Sequence, residues 1–290
     1  MLKTPHKRLI YQKYFTHPFH PSQHQILPYL CSMRISLIQT SLHWEQPARN
    51  RAHLADRLRP LAGVTDLIIL PEMFTTGFSM NAGALAEPTD GPTAQWLRQQ
   101  AALTGAMVMG SFICRDNDLY YNRLVWTTPD GSGGHYDKKH LFSLAKEHLT
   151  YTAGDQQVIF EWMGWRIRPL VCYDLRFPVW SRQPNDPASH YDLLIYVANW
   201  PQRRSHHWRS LLAARAIENQ CYTIGVNIVG QDGNGLEYSG DSTVTDYGGQ
   251  TLAHAAMTEQ TISVSLDADA QKNYRQQFFF LRDADIFQLK

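Results

Sequence analysis

Three short apolar runs, each followed by polar or reactive residues, constrain the fold of this chain more than any other feature. They are DLIILPEMF (66–74), IRPLVCYD (167–174) and DLLIYVANW (192–200). Short runs that are apolar at nearly every position are typical of strands covered on both faces. Such strands need a layer of structure on each side, so the sequence favours a layered α/β architecture.

Strand and helix patterns alternate around these runs. The predicted strands are 34–42, 106–114 and 223–230, with a strand–turn–strand segment over 120–139, and the predicted helices are 47–61, 92–103 and 207–219. Two further strands, STVTDYGG (242–249) and QTISVSLD (260–267), are predicted to form a pair. No long polar linker or internal repeat interrupts the pattern, so we expect a single α/β domain over residues 33–290.

Residues 1–32 differ from the rest of the chain. They are rich in His, Pro, Tyr and Gln, show no regular period, and lack the apolar core and cleavage site of a signal peptide. His17, His20 and His24 raise the idea of a metal site, but a polar tail is the favoured interpretation of such a segment. We therefore expect a flexible extension, with the folded domain beginning near Met33.

Composition excludes several classes of function. A net charge of +1 over 290 residues gives no electrostatic reason to bind nucleic acid or an acidic membrane. No apolar run approaches the roughly 18 residues of a membrane span. The four cysteines form no CxxC pair, which argues against a zinc knuckle, and a chain this long does not need a disulfide framework. These features fit a protein of the reducing cytoplasm.

Two of the apolar runs lead into groups that suit nucleophilic catalysis. Glu72 follows LIILP and Cys172 follows RPLV. A carboxylate at the end of a buried strand is costly unless it is paired, and a thiol becomes a nucleophile only with a base or a cation nearby. If the strands share a direction in one sheet, their ends converge. Taken alone, Glu72 also fits a structural ion pair and Cys172 also fits core packing.

A cation for this site is found in YDKKHLF (136–142). Periodicity does not choose between Lys138 and Lys139, and an exposed turn would explain both. Glu147, in LAKEHL, fits an ordinary polar-face residue when it is taken alone. Asp174 and Arg176, which follow the cysteine, are expected to support its turn.

LPEMF, YDKKHLF and CYDLRFP resemble, in that order, the three signature segments of the nitrilase (carbon–nitrogen hydrolase) superfamily. The resemblance covers roughly residues 33–290. It implies a four-layer α-β-β-α sandwich, commonly assembled as dimers, with no cofactor and no metal. It also implies a catalytic triad of Glu72, Lys138 and Cys172, selects Lys138 over Lys139, and suggests Glu147 as a second glutamate.

The segments LPEMFTTGFS, AKEHLTY, VANWP and FLRDAD are similar to those of bacterial omega-amidases. This similarity implies hydrolysis of the terminal amide of compounds such as 2-oxoglutaramate, with ammonia released from a cysteine thioester. The backbone N–H of Tyr173 is the expected oxyanion donor. The remaining candidates for the substrate pocket are aromatic walls and cations for the substrate carboxylate: Phe74, Phe78, Trp200, Arg203 and Arg204.

Three other interpretations remain open from the sequence. The same family includes amidases for deaminated glutathione, carbamoyl amines and nitriles. Cys172 with His140 would make a Cys–His hydrolase, which leaves Glu72 and Lys138 unexplained. A binding module that kept the fold is the third, and a complete triad argues against it because binding alone does not need all three groups.

The predicted extension can be tested by deletion of residues 1–32. We expect the shortened chain to fold and to keep near-normal activity, because the core pattern begins at Met33. Circular dichroism and a turnover assay measure the two properties. A large loss of either would show that the segment belongs to the folded domain.

Overall fold

The computed structural model describes residues 32–289, which form β-strands, six α-helices and short 3₁₀ turns. The strands are β1 (Ser32–Gln39), β2 (Leu67–Ile69), β3 (Glu87–Pro88), β4 (Met107–Asp116), β5 (Leu119–Thr127), β6 (Gly133–Asp137), β7 (Phe160–Trp162), β8 (Trp165–Val171), β9 (Leu193–Val197), β10 (Tyr222–Val226), β11 (Val229–Gln231), β12 (Glu237–Ser239), β13 (Thr243–Thr245), β14 (Thr251–His254) and β15 (Gln260–Asp267). The helices are α1 (Pro47–Leu58), α2 (Ala82–Leu85), α3 (Pro92–Thr104), α4 (Pro178–Ser181), α5 (Ser205–Asn219) and α6 (Ala268–Gln277).

Two large sheets carry the fold. The first has the strand order β15-β1-β2-β4-β5-β6, with β3 beside β4, and β1, β2 and β4 run parallel. The second has the order β14-β13-β10-β9-β8-β7, with β8, β9 and β10 parallel. Each sheet therefore has a parallel centre and antiparallel edges, which is common in large mixed sheets.

The alternation of side chains along β1 shows how the layers stack. Ile35 and Leu37 join the large core between the two sheets, whereas Ile38 packs with the apolar faces of α1 and α3 on the other side of the first sheet. Period-two alternation sends neighbouring side chains to opposite faces, so one strand serves two cores. Each of these buried aliphatic side chains contributes about 1.5–3 kcal/mol relative to exposure.

Helix α5 covers the outer face of the second sheet. Its Trp208 and Leu212 are fully buried and approach β10 at Gly225, where an added Cβ would lie 2.4 Å from the Leu212 side chain. A glycine is required at that contact because any larger residue would push the helix away from the sheet. The order from outside to outside is helix, sheet, sheet, helix, which confirms the predicted four-layer α-β-β-α sandwich.

Most predicted elements are present, and two details of the prediction are wrong. The segments 242–249 and 260–267 both contain strands but do not pair with each other. Strand β13 pairs with β10 and β14 in the second sheet, whereas β15 pairs with β1 in the first. The ends of the three apolar runs also do not share one sheet, since β2 belongs to the first sheet and β8 and β9 to the second.

The predicted extension, apart from Ser32 at the start of β1, lies outside the described residues, as do His17, His20 and His24. Within residues 32–289, no helix is long and apolar enough to cross a membrane.

Candidate active site

Glu72 lies fully buried in the turn that follows β2. Ser111 of β4 holds this turn: its Oγ accepts the N–H of Met73 at 2.9 Å, and its carbonyl oxygen accepts the N–H of Phe74 at 3.0 Å. Met73 has a φ of +43°, a region that residues with side chains rarely adopt. The hydrogen bonds to Ser111 keep the backbone in this strained form, which is common at functional sites.

A fully buried ion cluster forms around Lys138, the residue after β6. Its Nζ lies 2.9 Å from Glu72 Oε1, 3.1 Å from Glu147 Oε1 and 3.0 Å from Glu147 Oε2, and all three side chains have no exposed surface. Removing such charges from water costs several kcal/mol per ion, so the cluster is stable only if further hydrogen bonds complete it.

Neutral donors supply those hydrogen bonds. Asn122 Nδ2, on β5, donates to Glu72 Oε1 at 2.8 Å and to Glu147 Oε1 at 3.3 Å. The backbone N–H of Asn199 donates to Glu72 Oε2 at 2.7 Å, and that of Phe142 donates to Glu147 Oε2 at 2.5 Å. Every carboxylate oxygen of the cluster therefore has at least one donor, which compensates for the water that burial removes.

The titration of the cluster follows from this arrangement. Burial opposes the charge on Lys138, but the carboxylates of Glu147 and Glu72 outweigh burial and raise the pKa of the lysine. Burial raises the pKa of Glu147, while Lys138 opposes that shift. Lys138 is thus a permanent cation at neutral pH.

Cys172 directly follows β8 and has a φ of +41°, so the backbone turns sharply there and leaves the direction of the strand. Asp174 fixes this turn, because its carboxylate accepts hydrogen bonds from the Val171 N–H at 3.0 Å and the Tyr136 hydroxyl at 2.7 Å. It also accepts the N–H of His140 at 3.0 Å. Tyr136 and His140 flank Lys138 in sequence, so one buried carboxylate aligns the cysteine turn with the lysine loop. The expected supporting role of Asp174 is confirmed.

Burial, followed by the charge of Glu72, raises the pKa of the Cys172 thiol well above its ordinary value. Lys138 opposes this shift, and the hydrogen bond with Glu72 adds to it. The resting group is therefore a neutral thiol whose pKa responds to both the carboxylate of Glu72 and the ammonium of Lys138. His140 does not fit the base of a Cys–His pair, because its Nδ1 bonds to Asp174 at 2.8 Å and its ring stacks on Phe177.

A cavity of about 530 Å³ opens beside this cluster. Its wall includes Cys172, Lys138 and most of the predicted substrate-binding residues, namely Tyr173, Phe78, Trp200, Arg203 and Arg204. Tyr173 lies in the first turn of a 3₁₀ helix, where backbone N–H groups have no acceptor within the helix.

The prediction that Phe74 walls this cavity is wrong. Phe74 is fully buried in the apolar cluster between the first sheet and its outer helices, with its ring 5.6 Å from that of Trp96. It follows Glu72 by two residues, but the turn at Met73 sends the two side chains to different layers.

The structure adds three residues to the site that the motifs did not assign. Asn122 donates to both glutamates, Asn199 holds Glu72 from the second sheet, and Arg176 lines the cavity. Arg176 was expected to support the turn, but its guanidinium lies 4.7 Å from the centre of the Trp200 ring on the cavity wall. The one sequence signal for Asn122 is an asparagine within a predicted strand, because a buried amide side chain needs hydrogen-bond partners.

Within residues 32–289, no group of three or more His, Cys, Asp or Glu side chains is placed to hold a metal ion. The space between Glu72 and Glu147 is filled by the ammonium of Lys138. The residues that surround the thiol thus supply a base, a cation and backbone donors.

Comparison with known proteins finds similar sequences over most of the chain. Residues 34–276 match the family described as carbon–nitrogen hydrolase. The omega-amidase YafV of Escherichia coli K12 is 46% identical over 258 residues, which cover 89% of this chain and 98% of that protein. The 2-oxoglutaramate amidase of Bacillus subtilis is 34% identical over 246 residues, covering 83% of this chain and 93% of the relative.

A solved structure shares the whole fold. XC1258 from Xanthomonas campestris, described as a CN-hydrolase superfamily protein with an arsenic adduct in its active site, superposes with a TM-score of 0.87. It is 48% identical, and the match covers 89% of this chain and 99% of XC1258.

The electrostatics of the thiol predict shifts of opposite sign in two variants. Glu72→Gln removes a negative charge and should lower the pKa of Cys172, whereas Lys138→Met removes the opposing cation and should raise it. Ultraviolet absorbance of the thiolate against pH measures both. Subtracting the absorbance curve of the Cys172→Ser variant removes the contribution of the other cysteines. Circular dichroism confirms that the variants are folded. Shifts of the same sign would contradict the arrangement.

Proposed function

The chain belongs to the carbon–nitrogen hydrolase family, and from that premise we propose that it is an omega-amidase. It converts 2-oxoglutaramate or 2-oxosuccinamate to the 2-oxo dicarboxylic acid and ammonia. The enzyme therefore acts on the carbon–nitrogen bond of a linear amide rather than on a peptide bond. Two relatives that match nearly their full length carry this activity in their names.

The observation that carries the choice of substrate is the charge of the cavity wall. Arg176, Arg203 and Arg204 all line the cavity that contains Cys172, and none of them pairs with a carboxylate among the described residues. Burial, followed by the charges of Arg203 and Arg176, lowers the pKa of Arg204. A cluster of like charges without a counter-ion favours an anionic ligand, and a 2-oxo acid carboxylate is such a ligand.

The proposed reaction begins with the neutral thiol. Glu72 takes the proton of Cys172 while Sγ attacks the amide carbon, which forms a carbon–sulfur bond and moves charge onto the amide oxygen. The ammonium of Lys138 and the N–H of Tyr173 stabilise this oxyanion. Lys138 contacts Glu147 through both carboxylate oxygens, so one of its N–H bonds can turn to the substrate. One preorganised donor of this kind is worth on the order of 3 kcal/mol in the barrier.

Collapse of the tetrahedral intermediate breaks the carbon–nitrogen bond. Glu72 returns its proton to the nitrogen, ammonia leaves, and a thioester to Cys172 remains. Glu72 then takes a proton from water, whose oxygen attacks the thioester. The carbon–sulfur bond breaks, the acid is released, and Glu72 returns the proton to Sγ. Glu147 orients Lys138 through this sequence, and its own position is held by the Phe142 N–H.

The active protein is proposed to be a homodimer. Large apolar side chains are exposed on and around α4, α5 and the C-terminal segment: Val179, Ile217, Phe279, Phe280 and Ile286. Hydrogen bonds from Arg182 to the Glu218 carbonyl and from Gln220 to the Phe278 carbonyl join these segments, so the side chains share one region of the surface. Exposed apolar surface of this kind marks an interface. Sedimentation equilibrium tests the dimer, and a monomer at micromolar concentration would refute it.

A cytoplasmic location is proposed from the cysteines. Cys114, Cys172 and Cys221 are free thiols, and a thiol nucleophile with a raised pKa works only while it stays reduced. Fractionation of cells, with the protein detected by an antibody, checks the location, and recovery from an oxidising compartment would contradict it.

A second candidate keeps the chemistry and changes the substrate. The cavity of about 530 Å³ is roomy for a small oxo-acid amide, and Glu45 and Asp232 add negative charge to its wall. The volume favours a larger amide such as deaminated glutathione, and the two carboxylates could accept hydrogen bonds from its peptide N–H groups. Carbamoyl amines and nitriles remain further alternatives within the same family.

An ammonia-release assay on a panel of substrates tests the proposal. We expect 2-oxoglutaramate and 2-oxosuccinamate to have the highest kcat/KM, above glutamine, deaminated glutathione, a carbamoyl amine and simple nitriles. Cys172→Ala should lose turnover on every substrate while it keeps the fold, because the nucleophile is gone. A preference for any other member of the panel would replace the proposed substrate.

The arginines are tested one at a time with Arg176→Met, Arg203→Met and Arg204→Met. At least one variant should raise the Michaelis constant for 2-oxoglutaramate about tenfold, because a charge-assisted hydrogen bond to the carboxylate is lost. Turnover of a neutral primary amide should stay unchanged. Arg209→Met, on the exposed face of α5, is the matched control. If all three leave the constant unchanged, the carboxylate binds elsewhere.

A further inference from the structure

Asn199 connects the two sheets at the active site. It lies in the turn after β9, where its backbone N–H donates to Glu72 Oε2 at 2.7 Å and its Nδ2 donates to the Glu72 carbonyl oxygen at 2.6 Å. The next residue is fixed as well, since the Trp200 N–H donates to Asn227 Oδ1 at 2.7 Å and Asn227 Nδ2 donates back to the Trp200 carbonyl at 3.0 Å. The Asn199 side chain is therefore held in one position.

The orientation of this amide is determined by its neighbours. Nδ2 faces two oxygens of Glu72, the carbonyl at 2.6 Å and Oε2 at 3.5 Å, so a flipped amide would bring oxygen against oxygen. Oδ1 then lies on the other side. It is buried and has no hydrogen-bond partner among the described residues, although Asn199 itself borders the cavity.

A buried acceptor without a partner is rare in folded proteins and calls for an explanation. The other acceptors beside the thiol are already in use, since all four carboxylate oxygens of Glu72 and Glu147 receive hydrogen bonds. A carboxamide substrate brings two N–H donors into this site. Asn199 Oδ1 is a free acceptor among the described residues, and because Asn199 borders the cavity it can receive one of them.

We propose that Asn199 Oδ1 accepts a hydrogen bond from the carboxamide nitrogen of the substrate, and so makes the site selective for amides over esters. The contact orients the nitrogen while its lone pair takes the proton from Glu72. Because the same residue holds Glu72 through its backbone N–H, the base and the leaving group are aligned by one side chain and its backbone. Asn199 is thus a catalytic residue. This inference rests on the proposed amidase function.

An ester substrate separates this role from a structural one. The 5-methyl ester of 2-oxoglutarate passes through the same thioester and gives the same product as 2-oxoglutaramate, but its leaving group has no N–H. The value of kcat/KM reports steps up to the first irreversible one, which here is acylation. One assay for 2-oxoglutarate, corrected for spontaneous hydrolysis, follows both substrates.

Asn199→Ala removes Oδ1 but keeps the backbone N–H that binds Glu72. We expect the ratio of kcat/KM for amide to that for ester to fall roughly tenfold, the effect of one lost neutral hydrogen bond. Asn122→Ala is the matched control, because Asn122 also donates to Glu72 but does not line the cavity. It should slow both substrates and leave the ratio unchanged. Asn199→Ser provides the same readout if the alanine variant does not fold.

Two results would overturn the inference. The ratio for the Asn199 variant could equal that of the unmodified enzyme, or it could fall equally in the Asn122 variant, and either result would leave Asn199 with a structural role only. Failure of the proposed function has a different signature, since the unmodified enzyme would then hydrolyse neither substrate.

Discussion

The buried ion cluster of Lys138, Glu72 and Glu147 is the interaction on which the rest of the site depends. One ammonium between two carboxylates, all without exposed surface, is stable only with complete hydrogen bonding. The donors come from β5, from the turn after β9 and from the loop after Lys138, so the cluster requires both sheets to be in place. The fold and the chemistry therefore share one set of contacts.

The two-sheet architecture explains why the site lies where it does. Parallel strands end together at the edge of a sheet, and here the end of β2 faces the ends of β8 and β9 across the interface between sheets. Strained backbone at Met73 and Cys172 turns the chain sharply at two of these ends. Glu72 and the thiol thereby lie in one low-dielectric interior, where burial, followed by the charge of Glu72, raises the pKa of the thiol.

Much of this could be predicted from the sequence, because short apolar runs and helical periodicity report burial directly. The strands and the main helices follow from local patterns, whereas the choice of Glu72, Lys138 and Cys172 as site residues rested on the resemblance of three segments to a known family. The pairing of strands does not follow from local patterns, because no local signal shows that β15 pairs with β1 rather than with β13. Phe74 was misplaced for a similar reason: a φ of +43° at Met73 breaks the alternation on which its position was predicted. The run 192–200 puts Asn199 at the end of a strand, but its contact with Glu72, like that of Arg176 with Trp200, is long-range and does not follow from local sequence.

In the proposed reaction, each group has a distinct part: a neutral nucleophile, a carboxylate that moves its proton, and a cation for the developing charge. The most direct measurement of this account is mass analysis of the protein quenched with acid during turnover of 2-oxoglutaramate. We expect a 2-oxoglutaryl group on the peptide that contains Cys172, and no such group in the Cys172→Ala variant. Steady turnover with no acyl group on Cys172 under conditions that preserve thioesters, or with the group on another residue, would contradict it.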